Sequence, residues 1–123
     1  MERITNMIDV KETIALLERA VAERGEDYIY PVGKDSPWRD DFGQCLYRNS
    51  LTGEPACIVG LVASYVDPNV HLNEFDSVNA LSQTWMRKNL TDDAIYALRV
   101  AQTEQDAGFT WGDALRAVKR QLT

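Results

Sequence analysis

A chain of 123 residues, 45% hydrophobic and 26% charged, has the size and make-up of one compact domain. It can bury roughly two-thirds of its unfolded surface without a metal or disulfide staple. A formal charge of −6 disfavours nucleic acid as a partner, since phosphate backbones repel an acidic chain. No apolar run approaches the ~20 residues of a membrane span, and the first residues lack a basic segment followed by an apolar one, so a cytoplasmic protein with no membrane partner is expected.

The first predicted element is a helix over about 10–24. Asp9 stands at an N-cap position with Glu12 three residues on, a capping-box spacing, and Val10, Ile14, Leu17 and Val21 form one apolar stripe. Gly25 closes it. Tyr28-Ile29-Tyr30, aromatic and β-branched and followed by Pro31, reads as an extended segment or edge strand. Residues 31–43 form a turn-rich loop carrying Trp38 and Phe42, either tucked under the loop or presented by it.

Cys45 to Arg48 reads as a second strand and Asn49 to Gly53 as a turn. Pro55 suits the first turn of a helix, because its missing N–H would have no partner there. Ala56 to Val66 is apolar almost all round, and its length and small residues favour a buried helix with Cys57 and Gly60 packed inside. Asp67-Pro68-Asn69 stops it. Phe75, Val78, Leu81 and Trp85 fall at helix-like spacing, which predicts a loop over 70–90 with one or two helical turns.

The last third is a predicted helical hairpin. Thr91, Asp92 and Asp93 supply a cap and two negative charges to a positive helix end. Ala94, Leu98, Ala101 and Gln105 share one face, Gly108 breaks the helix, and Thr110 with Asp113 restarts it. Trp111, Ala114, Leu115, Val118 and Leu122 make the second apolar stripe. Gln105 faces inward on this reading, where an unpaired amide costs about 1–3 kcal/mol. It should therefore hold a backbone group, capping the hairpin turn, or a ligand. The expected architecture is α+β: a mostly helical single domain spanning 1–123, with a small two- or three-stranded sheet from Tyr28–Tyr30 and Cys45–Arg48 and a C-terminal helical hairpin.

Chemistry-bearing constellations are sparse. Cys45 and Cys57 with the lone His71 fall short of the four ligands of a structural zinc, so neither metal nor cofactor is expected. In a reducing compartment both cysteines read as free thiols packed as small apolar groups, while a Cys45–Cys57 bridge would need an oxidising one. A Cys/His hydrolase would pair one of these thiols with His71 and a nearby carboxylate. Cys57 lies inside an apolar run, which argues for core. The carboxylate pairs Asp40/Asp41 and Asp92/Asp93 are explained by a polar loop and a helix start.

Charge is uneven along the chain. Residues 1–84 hold 7 Lys/Arg against 14 Asp/Glu, and residues 85–123 hold 6 against 5. The C-terminal hairpin has the outline of a helix-turn-helix with a basic tail of Arg116, Lys119 and Arg120, but Trp111, Gly112 and Asp113 are poor readers of base edges. No catalytic residue is assigned, and the balance leans away from an enzyme. What remains is an aromatic and guanidinium surface, with Trp38, Arg39, Tyr47, Arg48, Trp85 and Arg87 as the candidate ligand-binding residues. Such groups suit stacking on a base with a phosphate beside it, and equally a protein–protein hot spot.

Cys45-x-Tyr47, then Gly53-x-Pro55-x-Cys57-Ile58-Val59-Gly60, then Ala101-Gln102 through Gln105-Asp106-x-Gly108-x-x-Trp111-Gly112-x-Ala114 resembles small proteins of unassigned function from actinobacteria and their phages. The resemblance spans most of residues 1–122. It implies a small phage or prophage accessory factor, for host takeover or counter-defence, and carries over no catalytic residue. The preferred reading is a non-catalytic binding protein that engages a host protein or sequesters a small nucleotide-like ligand, with homo-oligomerisation left open. The alternatives are a DNA-binding transcriptional regulator using the C-terminal hairpin and, behind it, the Cys/His hydrolase.

Overall fold

The structure, a computed structural model, describes residues 7–30, 57–68 and 84–122. The described residues form five helices: α1 (Val10–Arg24), α2 (Ile58–Val66), α3 (Thr84–Asn89), α4 (Asp92–Asp106) and α5 (Trp111–Leu122). Of these residues 76% are helical, and there is no sheet among them. The expected α+β class is thereby corrected to a helical, bundle-like domain. Cys45–Arg48 lies outside the described residues.

Local chemistry explains the starts of α1, α2, α4 and α5. The Asp9 carboxylate accepts the Glu12 N–H at 2.9 Å, Thr91 Oγ1 accepts the Ala94 N–H at 3.3 Å, and Thr110 Oγ1 accepts the Asp113 N–H at 3.0 Å. Each satisfies a first-turn donor that the helix itself leaves unpaired. Cys57 is the N-cap of α2, its Sγ accepting the Gly60 N–H at 3.4 Å. The helix therefore begins at Ile58, later than a start at Pro55 would give, and Pro55 and Ala56 lie outside the described residues.

The hairpin turn is a Schellman motif. The Phe109 N–H reaches the Glu104 carbonyl at 3.2 Å and the Gly108 N–H reaches the Gln105 carbonyl at 3.0 Å. Gly108 holds φ +93° there, a region that costs a residue with a Cβ about 1–3 kcal/mol. Gly108→Ala is expected to lower stability by about 1 kcal/mol or more in urea denaturation, although no neighbour lies within 4 Å of the added methyl. An unchanged denaturation midpoint would show that the turn does not need the left-handed conformation.

Tyr28 to Tyr30 is not a strand. The Tyr28 carbonyl accepts the Trp111 N–H at 2.8 Å and the Glu26 carbonyl accepts the Gly112 N–H at 2.9 Å. The Tyr28 carbonyl, expected to pair in a sheet, and the Glu26 carbonyl before it instead satisfy the first two free donors of α5. A single parallel bridge, Ile8 to Leu90, ties the lead into α1 to the α3–α4 junction through Ile8 N to Asn89 O at 2.8 Å and Thr91 N to Ile8 O at 3.0 Å.

α1 packs on α2, α4 and α5, while α4 packs on all four other helices. The core draws Leu17, Ala20 and Val21 from α1, most of α2, and Ala94, Ile95, Leu98 and Ala101 from α4, with Trp111, Ala114 and Val118 from α5. Of the α1 stripe, Leu17 and Val21 are buried, and Val10 and Ile14 are partly buried against the core. None of the described helices is long and apolar enough to cross a membrane.

Candidate functional site

The polar centre of the core is Gln105, a fully buried side chain at 0% exposure. Its Oε1 accepts the Ile58 N–H at 2.8 Å and the Trp111 indole N–H at 3.1 Å. Nε2 donates to Asp106 Oδ1 at 3.1 Å. Two donors converge on one oxygen, so its partners fix the orientation of the amide. Gln105 thus joins the last turn of α4 to the first residues of both α2 and α5. It does hold a backbone group, as its inward position implied, but that group belongs to α2 and not to the hairpin turn.

Trp111 is fully buried, and Tyr28 meets its ring edge-on at 4.8 Å between centroids with an interplanar angle of 78°. The Arg24 guanidinium carbon lies 5.2 Å from the centre of the Trp111 ring and 5.4 Å from that of Tyr28, within cation–π range. Cys57, Gln105, Trp111 and Gly112 therefore act together as structure, and these are residues of the motif that carries the resemblance. Cys57 is a fully buried free thiol, a poor position for a nucleophile. Among the described residues no group of three or more His, Cys, Asp or Glu could hold a metal ion.

The outer face of α4 and α5 is different. Two shallow depressions, of ≈ 270 Å³ and ≈ 420 Å³, adjoin there. Tyr96, Arg99, Val100 and Gln121 line the first, Phe109, Asp113 and Arg120 the second, and Glu104 both. Tyr96 is 40% exposed and Phe109 51%. The Tyr96 hydroxyl donates to Gln121 Oε1 at 3.0 Å, joining the first half of α4 to the end of α5. The two helices therefore run antiparallel side by side, unlike the 90–120° crossing of a helix-turn-helix.

Charges around this face are unequally committed. Arg116 pairs with Asp113 and, at 3.6 Å, with Glu26, while Lys119 pairs with Glu18 at 3.2 Å. Hydrogen bonding from Arg116, with Thr110 adding to it, holds the Asp113 carboxyl below its ordinary value. Arg99 and Arg120 make no ion pair with any described residue.

A second aromatic–cation group stands on α1 and α2. The Arg19 guanidinium lies 3.9 Å from the Tyr65 ring centre, and the Tyr65 hydroxyl donates to Glu23 Oε1 at 3.1 Å. Partial burial, followed by the Glu23 carboxylate, pushes the Tyr65 phenol up to about 12. The folded state therefore holds this proton more tightly than the unfolded chain, whose phenol titrates near 10. The stabilisation is complete below pH ~10 and is lost as pH rises toward ~12. The difference between the ultraviolet titrations of the wild type and Tyr65→Phe should place this ionisation near 12. Ionisation near 10 would contradict the hydrogen bond to Glu23.

The sequence-predicted site residues fare unevenly. Trp38, Arg39, Tyr47 and Arg48 lie outside the described residues. Trp85, on α3, is half-buried against the core and its carbonyl accepts the Asn89 side-chain amide at 2.8 Å. Arg87, two residues on, is exposed. Of the other aromatics, Tyr30 is fully buried, Tyr28 packs on Trp111, and Phe109 stands exposed. The sequence reading missed Tyr96 and Arg99. Both lie on the side of α4 away from Ala94, Leu98 and Ala101, and that opposition was the available signal.

No protein-family model, no curated protein and no solved structure matches this chain. The fold and the face together define a small helical-bundle domain with an outer groove lined by aromatic and arginine side chains.

Proposed function

We propose that this chain is a non-catalytic binding protein, an accessory factor of the phage or prophage kind, that engages a host protein through the outer groove of α4 and α5. The supporting observation is the meeting of two exposed aromatics, Tyr96 and Phe109, with the guanidiniums of Arg99 and Arg120, neither of which is held by a described carboxylate. Aromatic and arginine side chains dominate hot spots: the rings bury much surface with only two torsions, and the guanidinium pairs through a rigid planar fork. The accessory role itself rests on the sequence resemblance. A photo-crosslinking residue at Phe109 should give a discrete adduct with a host protein, competed away by unlabelled protein. The same residue at Ile29, which is 52% exposed, serves as control. No adduct at Phe109, or the same adduct from Ile29, would overturn the reading.

A nucleotide-like ligand is the second reading, drawn from half-buried Trp85 and exposed Arg87 on the same short helix, α3. A melting-temperature rise with a nucleotide, lost in Arg87→Ala, would support it, and flat responses across a nucleotide panel would count against it. The DNA-binding alternative is weakened by the start of α5, where Trp111 and Gly112 are buried instead of facing a groove. The hydrolase alternative is weakened by the burial of Cys57.

A further inference from the structure

We infer that the α4–α5 groove takes an acidic segment of its partner protein, with apolar side chains interleaved among the carboxylates; this rests on the protein-binding reading above. Some of the charges in the groove are already committed. Asp113 is engaged by Arg116 and therefore offers little to an incoming group. Arg99 and Arg120 form no ion pair with a described residue, and Glu104 is the remaining carboxylate of the lining. The lining's formal charges balance, but with Asp113 held by Arg116 two available guanidiniums face one available carboxylate, so the charge left to meet a partner is cationic, on a chain whose total charge is −6.

That contrast orients an acidic partner. The acidic first two-thirds of the chain repels it, and at physiological salt the repulsion is screened beyond about 8 Å. Contact at the groove therefore decides the register, and guanidiniums pair with carboxylates in a planar, two-pronged geometry. Phe109 and Tyr96 supply the apolar anchors, with the buried Val100 lining the first depression beside Tyr96.

A displayed library of short random peptides, selected on the full chain, tests this. The enriched peptides should be net negative with apolar residues, and their binding should fall about tenfold or more in Arg99→Glu/Arg120→Glu. Both positions are exposed, so the double variant should keep its melting temperature. Arg99→Gln/Arg120→Gln replaces it if the reversal unfolds the protein. Enrichment of neutral or basic peptides whose binding is lost in Phe109→Ala would overturn the acidic assignment while leaving the protein-binding reading in place. Enrichment insensitive to every groove variant, or no enrichment at all, would overturn both.

Discussion

Gln105→Met should lower the free energy of unfolding by about 2–4 kcal/mol. Methionine matches glutamine in length and keeps the volume filled, so little of the loss comes from a cavity. What disappears is the acceptor for two buried donors, the Ile58 N–H and the Trp111 indole N–H. A buried donor left unpaired costs about 1–3 kcal/mol. Urea denaturation gives the value directly, and an unchanged slope against denaturant would show that only stability had moved. A companion Trp111→Phe variant removes one of the two donors. The Gln105/Trp111 pair should therefore be non-additive by at least about 0.5 kcal/mol, as expected for residues in one hydrogen-bond network. A loss below about 1 kcal/mol in Gln105→Met would mean that water or a rearranged backbone replaces the amide.

Gly112→Ala carries the second large effect, and here two forces oppose each other. Alanine is favoured over glycine in a helix interior by about 1 kcal/mol. Against this, a Cβ at position 112 would stand 2.8 Å from the Glu26 carbonyl oxygen, with the Glu26 Cβ at 3.1 Å and its Cα at 3.3 Å. The nearest of these atoms is backbone, held by its own hydrogen bond from the Gly112 N–H, so it cannot swing aside like a flexible side chain. Relief requires α5 to slide from the Glu26–Tyr28 segment, which would also stretch the Trp111 N–H bond to Tyr28. Overpacking of this kind typically costs about 1–3 kcal/mol, so net destabilisation is expected, with a lowered melting temperature. A stabilised Gly112→Ala protein would show that the segment does not sit so close.

Where local chemistry decides structure, the sequence was legible. α1, α4 and α5 were readable because each has a hydroxyl or carboxylate cap at its start and an apolar stripe, with Gly25 and Gly108 closing two of them. The sheet failed for the complementary reason. Tyr28-Ile29-Tyr30 has a strand's composition, yet the Tyr28 carbonyl is taken by the Trp111 N–H at the start of α5, far along the chain, and the Tyr28 N–H by Gly25. Nothing in three residues can announce that. Gln105 shows the same limit in sharper form. Its place on the buried face of α4 demanded a partner, but the partner lies 47 residues off at Ile58, and a nearby turn was the simpler choice. Of the groove's aromatics and arginines, Arg120, in the basic tail of the last helix, stood out in the sequence; Tyr96 and Arg99 lie off the apolar stripe of α4 and belong to no motif. Only the packing of α5 beside α4 makes them neighbours of Phe109 and Arg120.

The division that emerges is between a motif that holds the fold and a face that is free to bind. Gln105, Trp111 and Gly112 are spent on tying helices together and Cys57 on capping α2, which is why the outer groove, built from residues outside that set, carries the binding proposal. Native-state hydrogen exchange at the Ile58 amide tests the tie most directly. A first-turn helix amide has no partner inside its own helix and ordinarily exchanges through local fraying. With Gln105 Oε1 as its acceptor, the Ile58 amide should instead exchange only through global unfolding. In Gln105→Met its protection should fall by more than the drop in global stability accounts for. Fast exchange of Ile58 in the wild-type protein, indistinguishable from an uncapped helix end, would contradict the role assigned to Gln105.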